Sequence, residues 1–287
     1  MRLDGDESSN IEDRRGSRGI PGGKGGLGLG TIVIALLASY FFGIDPNMIL
    51  SGARMLQGDA PASSQEAPIT ASPAEEAQKR FVSQVLRDTE LTWQAIFSAN
   101  GQQYREPRLV LFRDATPTAC GNGQAAMGPF YCPADSKVYL DLSFFDELER
   151  RFKAPGNAAQ AYVIAHEVGH HVQHLLGISE KVQRARQSVP EKQGNALSVK
   201  LELQADCFAG VWVHQANRQR KVLEAGDIER VLGAATAIGD DTLQKNARGY
   251  ATPDSFTHGS SAERVQWFRT GFESGDVRRC DTFRKSS

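Results

Sequence analysis

The stretch His166-Glu167-Val168-Gly169-His170 constrains this chain more than any other. Residues four apart share one face of a helix, so the two imidazoles reach a single ion only if the stretch is helical. The apolar lead-in Ala161-Tyr162-Val163-Ile164-Ala165 fits that demand. Pro155, Gly156 and Asn157 before it and Gly177 after it predict a helix over about 158–176. With six histidines in 287 residues, the pattern arises by chance on the order of 1% of the time. Zinc accepts neutral histidine nitrogens at about 2.0–2.1 Å, and a catalytic site takes three protein ligands. Glu167, beside the first histidine, is placed to take a proton from an attacking water.

The third ligand must come from elsewhere in the chain. A continuation to a third histidine on the same segment would need Gly at 173 and His at 176, where this chain has Gln173 and Leu176. A second predicted helix, about 196–218, carries Glu202-Leu203-Gln204-Ala205-Asp206. Glu202 and Asp206 share a face, so Glu202 can complete the metal set. Asp206 can then accept the N–H of a ligating histidine and fix its tautomer. A solvated acidic pair is the ordinary alternative. It is disfavoured by Leu201, Leu203, Ala205, Cys207 and Phe208, which bury this helix, because buried carboxylates demand partners.

Composition narrows the rest. Thirty-three basic residues against 34 acidic ones leave a net charge of −1, with no excess to attract nucleic acid. A mean hydropathy of −0.39 excludes a polytopic membrane protein. One span is expected: 20 residues from Gly25 to Ile44 carry no charge, and as a helix they would extend about 30 Å. A cleaved signal peptide and a buried helix are the competing readings. Arg14, Arg15, Arg18 and Lys24 precede the run and Asp45 follows it, which predicts a cytoplasmic N-terminus and an exported remainder. The expected organisation is a disordered cytoplasmic tail (1–24), a single transmembrane helix (25–50), an Ala/Pro/Ser linker (51–73) and a globular domain (74–287). Strand patterns fall at 108–113 and 137–142.

Four cysteines allow two bridges in an exported domain. Cys120 and Cys132 bracket a glycine-rich turn, and Cys280 can pin the C-terminal region to Cys207 on the second helix. In a cytoplasmic protein all four would be reduced thiols. His171, His174 and His214 are expected to be structural or to lie around the site rather than in it.

The paired motifs resemble the gluzincin metallopeptidases, in particular the membrane-associated minigluzincins. Beyond them the chain is similar to the bacterial neutral zinc metallopeptidase family through Ser9-Asn-Ile-Glu-Asp-Arg-Arg-Gly16, Gly128-Pro-Phe-Tyr-Cys-Pro133, Val138-Tyr-Leu-Asp-Leu-Ser-Phe-Phe145, His166-Glu-Val-Gly-His-His-Val-Gln173 and Phe256-Thr-His-Gly-Ser-Ser261. The resemblance implies a zincin-like α+β fold, Zn2+ as cofactor, and peptide or unfolded-protein substrates. Thr257-His258, with Arg264 six residues on, matches a minigluzincin segment in which proline stands where this chain has Gly259. By that likeness His258 would hydrogen-bond the developing oxyanion and Arg264 would anchor a carboxylate, with Tyr250 a competing oxyanion donor. The expected function is a membrane-anchored zinc peptidase acting on exported proteins or peptides; the alternative is a zinc-stabilised binding or chaperone-like module. Retention of Glu167 favours the enzyme. Extended substrate is expected to pair with a sheet edge near Tyr131 or Val138.

Overall fold

The computed structural model describes residues 1–3, 5–16, 69 and 71–284. Met1–Arg14 and Thr70–Ser287 form one compact unit, and Arg15–Ile69 cluster separately. The transmembrane expectation for 25–50 and most of the linker lie outside the described residues. Among the described residues, no helix is long and apolar enough to cross a membrane.

The elements are β1 (Ile11–Asp13), α1 (Pro73–Ala99), β2 (Arg108–Phe112), β3 (Ala115–Thr118), β4 (Gly121–Gln124), β5 (Phe130–Cys132), β6 (Lys137–Asp141), α2 (Ser143–Arg150), α3 (Asn157–Leu175), α4 (Ile178–Arg186), α5 (Glu191–Arg220), α6 (Asp227–Ala237), α7 (Asp240–Arg248) and α8 (Ser261–Ser274). The main sheet has order β1-β2-β6-β5, and β3 and β4 form a separate antiparallel hairpin. β1, β2 and β6 run parallel, with Leu109 opposite Val138 and Leu111 opposite Leu140. Side chains alternate across a strand. Leu109, Leu111, Val138 and Leu140 therefore share the main helical core, while Val110, Phe112 and Tyr139 join Cys132 in a smaller cluster on the other face. β5 pairs antiparallel with β6 and is the last strand on its side. β6 is thus interior, and the expectation that the Val138 run could be a free edge is corrected: its backbone groups are used on both sides.

A second correction concerns the N-terminus. Residues expected in a disordered tail contain β1, whose Ile11, Glu12 and Asp13 lie opposite Leu109, Val110 and Leu111. Their composition is polar because polar bonds hold them. Ser8 Oγ donates to Glu90 Oε1 at 2.6 Å, and Asn10 Nδ2 donates to Glu90 Oε1 at 2.9 Å and to Glu106 Oε2 at 2.8 Å. Hydrophobic periodicity carries no signal for such a strand.

α3 lies against the sheet and α5, and α8 crosses α5 at close range. Helices approach this closely only where side chains are missing. A Cβ on Gly271 of α8 would fall on the Cys207 carbonyl oxygen of α5, and one on Gly210 would lie 2.7 Å from the Phe272 amide nitrogen. Both cysteine pairs are bonded. Cys120–Cys132 ties the β3–β4 hairpin to β5, and Cys207–Cys280 ties α5 to the turn at Val277–Cys280.

Candidate metal centre

α3 presents His166 and His170 one turn apart, and α5 brings Glu202 opposite them. One donor atom from each lies within 4.8 Å of the others. His166 Nε2 is 3.1 Å from Glu202 Oε2, and His170 Nε2 is 3.4 Å from Glu202 Oε1. Tetrahedral ligands at zinc's bond lengths sit about 3.3 Å from one another, so the spacing suits that ion.

The far sides of the imidazoles are already committed. His166 Nδ1–H donates to Asp206 Oδ1 at 2.8 Å, and His170 Nδ1–H donates to Gln173 Oε1 at 2.8 Å. Both Nε2 lone pairs consequently face the Glu202 carboxylate. That arrangement is repulsive unless a proton or a cation lies between. Burial opposes charge on Glu202, yet the two imidazoles outweigh it and hold its carboxyl well below the usual range. Burial likewise opposes charge on His166, and Asp206 overrides it, raising the imidazole to about 10. The field that draws protons into this pocket also draws a divalent cation. The donor set, two imidazoles and one carboxylate, with the imidazole Nδ1–H groups given to a carboxylate and an amide oxygen, fits zinc.

Asp206 is fully buried and accepts three further hydrogen bonds. Arg264 Nε and Nη2 donate to its two oxygens at 2.8 and 2.9 Å, and Tyr162 Oη donates to Oδ1 at 2.5 Å. Burial is the largest influence on its acidity and works against the charge; Arg264 and His166 overcome it and bring Asp206 to about 2. Tyr162 stands four residues before His166, on the face that spacing alone identifies. Gln173 also escaped the sequence reading. Its Nε2 donates to the Leu201 carbonyl at 2.6 Å and to Gln204 Oε1 at 3.2 Å, so it couples His170 to the helix carrying Glu202. Gln204 Nε2 in turn donates to the Cys280 carbonyl at 2.9 Å.

His166, His170 and Glu202 line a cleft of about 1060 Å³ that also contains Glu167, His258 and Tyr131. Burial raises the Glu167 carboxyl above its ordinary range, the direction a proton acceptor working near neutral pH needs. His258 rests on Asp240, the first residue of α7. Asp240 Oδ2 accepts the N–H groups of Thr257, His258 and Gly259 at 2.7, 2.6 and 3.0 Å, and Oδ1 lies 3.2 Å from His258 Nδ1. The bond to Asp240 raises His258 above its ordinary value. Asp240 has no signature in the sequence, being 18 residues from its histidine. Gly259 has φ +95°, which proline cannot adopt; this loop therefore departs in conformation from the proline-bearing segment it resembles.

Other candidates fall outside the metal set. Tyr250 is exposed beneath the Arg248 guanidinium and does not line the cleft. His214 Nδ1–H donates to the Phe272 carbonyl between α5 and α8, and His174 Nδ1 lies 2.7 Å from Glu180. His171 donates from Nε2 to the Arg105 carbonyl at 2.6 Å and accepts the Tyr131 hydroxyl at Nδ1 at 3.0 Å. Burial pulls this imidazole down to about 4, so it is neutral at physiological pH.

Fold and site together define a mixed α+β domain built around a His-His-Glu centre of metal-binding type. The chain belongs to the family described as "Putative neutral zinc metallopeptidase", whose pattern matches residues 1–283. It is 49% identical to the "Uncharacterized protein YpfJ" of Escherichia coli K12 over 98% of this chain and 97% of the relative. It is 42% identical to "Uncharacterized protein Mb2605" of Mycobacterium bovis over 63% of each chain. No solved structure matches it.

Proposed function

We propose that the protein is a zinc peptidase that hydrolyses extended peptides or unfolded segments of exported proteins. The observation that carries this reading is Glu167, buried with a raised carboxyl pKa, next to the three-donor cluster on a cleft bounded by a sheet edge. A zinc ion held by His166, His170 and Glu202 would supply Lewis acidity to the scissile carbonyl and to the attacking water. Glu167 takes a proton from that water and delivers it to the leaving amine. His258, held as the imidazolium by donating Nδ1–H to Asp240, offers Nε2–H to the negative charge developing on the carbonyl oxygen. Asp206, Arg264 and Tyr162 hold His166, while Gln173 holds His170, so neither imidazole must reorganise during the reaction.

Substrate orientation follows from the sheet. β5 lines the cleft and no described strand pairs on its outer side, so an extended backbone can add there. Pro129 and Pro133 bracket this short edge and limit pairing beyond it. The Tyr131–His171 bond fixes the distance between that edge and α3. Backbone pairing of this kind makes sequence preference weak. The exported location is supported by the two disulfides, which persist in oxidising compartments.

The test is metal analysis of the purified protein together with cleavage of an unfolded protein before and after chelation. Glu167→Gln is expected to keep its metal and fold and to lose at least about 100-fold in kcat, the low end of what a positioned base contributes. Wild-type turnover in that variant would refute the reading.

A further inference from the structure

β1 is held to the metal-bearing unit along its whole length, and the sequence on its far side is the uncharged run from Gly25 to Ile44. The chain leaves the unit after Arg14, whose N–H donates to the Leu111 carbonyl at 2.7 Å. It returns at Ser72, which caps α1 by accepting the Glu75 N–H. Departure and return are neighbours. Lys79 of α1 bonds Asp13 of β1 at 2.9 Å, and Glu75 of the same helix meets Arg113, just beyond β2, at 2.6 Å. Lys137 of β6 bonds Glu12 at 2.7 Å. A single-pass helix between residues 14 and 72 would put these partners on opposite faces of a hydrocarbon layer about 30 Å thick. Hydrogen bonds of 2.7–2.9 Å do not span it.

The fold also takes up two of the four basic residues that precede the uncharged run: Arg14 is engaged by Glu12 at 2.6 Å and by the Pro117 carbonyl at 3.1 Å, and Arg15 is buried. Arg18 and Lys24 lie outside the described residues. Freeing β1 would moreover deprive the buried Glu90 of Ser8 and Asn10, leaving it with Arg87.

We propose that residues 1–14 share one compartment with the metal centre, as an integral strand of that unit, and that the uncharged run begins and ends on a single side of any bilayer instead of anchoring the protein as a one-pass helix. This inference is independent of the catalytic reading. The two disulfides make the shared compartment the oxidising one.

The test uses the full chain in cells, with one epitope inserted after Gly5, where an added Cβ would meet nothing within 4 Å, and another at the C-terminus. Protease added outside spheroplasts is expected to remove both epitopes together, with both disulfides intact. Protection of the Gly5 epitope while the C-terminal one is digested would overturn the proposal, as would loss of the first epitope by processing in the cell. A second measurement avoids any insertion near β1. A protease site is placed in the 58–66 linker of the full chain, which is then solubilised in mild detergent and cut. The fragment bearing residues 1–14 is expected to remain with the metal-bearing fragment on gel filtration until denaturant is added. Separation under native conditions would overturn the proposal independently of the first assay.

Discussion

Gly271→Ala is a substitution of one methyl group, and the structure makes it severe. The new Cβ would meet the carbonyl oxygen of Cys207 and come within 2.9 Å of the Val211 amide nitrogen. Both belong to the α5 backbone, so no side chain can swing aside. Ordinary carbon contacts begin near 3.5 Å, so α8 must retreat by roughly 1.5 Å, more than the 0.5–1 Å gap that already forfeits a quarter to a half of each dispersion contact along the seam. Overpacking of this kind costs about 3 kcal/mol, which for a domain of this size lowers Tm by roughly 6–12 °C. The effect should also reach the metal. α8 carries Arg264 and α5 carries Asp206 and Glu202, so separation loosens the 2.8 and 2.9 Å bonds that orient His166. Losing such support weakens metal binding about 10–100-fold. Thermal melts with and without chelator, and a competition titration with a zinc indicator, read the two effects. Gly233→Ala is the control: it lies within α6 with nothing inside 4 Å of its Cβ, and is expected to raise stability by up to about 1 kcal/mol. A Gly271→Ala protein melting within about 2 °C of wild type would refute the close-crossing argument.

Glu202→Ala is expected to abolish stoichiometric zinc and to lower Tm in the metal-loaded state only, because binding energy couples to folding; metal analysis reads it. Gln173→Ala removes the acceptor for His170 Nδ1 and should weaken zinc about 10–100-fold without changing the ligand set, as measured by competition titration. Asp240→Asn should return His258 toward about 6.5, visible by NMR titration. The pairing raises His258 in the folded state, so its stabilisation is complete below about pH 6.5 and fades as pH rises through the folded value. Asp240 is depressed, so its share is complete above about pH 3.9 and fades as pH falls through its folded value. The stability gap between wild type and Asp240→Asn should therefore be larger at pH 5 than at pH 9; equal gaps by denaturant titration would show that His258 does not pair with Asp240.

Helical spacing made the centre legible. His166 and His170 four apart, and Glu202 and Asp206 four apart on a helix with apolar neighbours, fix two faces that have little choice but to oppose each other. Strands 108–112 and 137–141 were equally plain, because each holds a continuous apolar run, 109–112 and 138–140. What remained hidden shares a physical cause. Gln173, Asp240 and Gln204 act through hydrogen bonds to partners that tertiary packing supplies, and amides and carboxylates of this kind occur on any helix surface. Tyr162 was within reach, since it precedes His166 by one turn; its role depends on Arg264 arriving from α8, which spacing on α3 cannot show. β1 was invisible for a different reason. One isoleucine and two acidic residues gain their place through backbone pairing and a polar surround, and a strand this short shows no periodicity.

That strand also imposes an order of events on folding. Ser8 pairs with Glu90 across 82 residues, Glu12 with Lys137 across 125, and the amino group of Met1 with Glu224 across 223. Closing loops this long adds little to the equilibrium cost, which grows only with the logarithm of length. It costs time. At about 5–20 residues per second, β1 emerges on the order of 10 s before β2 and β6 exist to receive it. A hydrophobic strand would spend that interval seeking any exposed edge, its own siblings on neighbouring ribosomes included. Ser9, Asn10, Glu12 and Asp13 are soluble while unpaired, so the first-made piece of the sheet can wait harmlessly and close it late. The polarity that hides β1 from a reader of the sequence is what lets it be synthesised first.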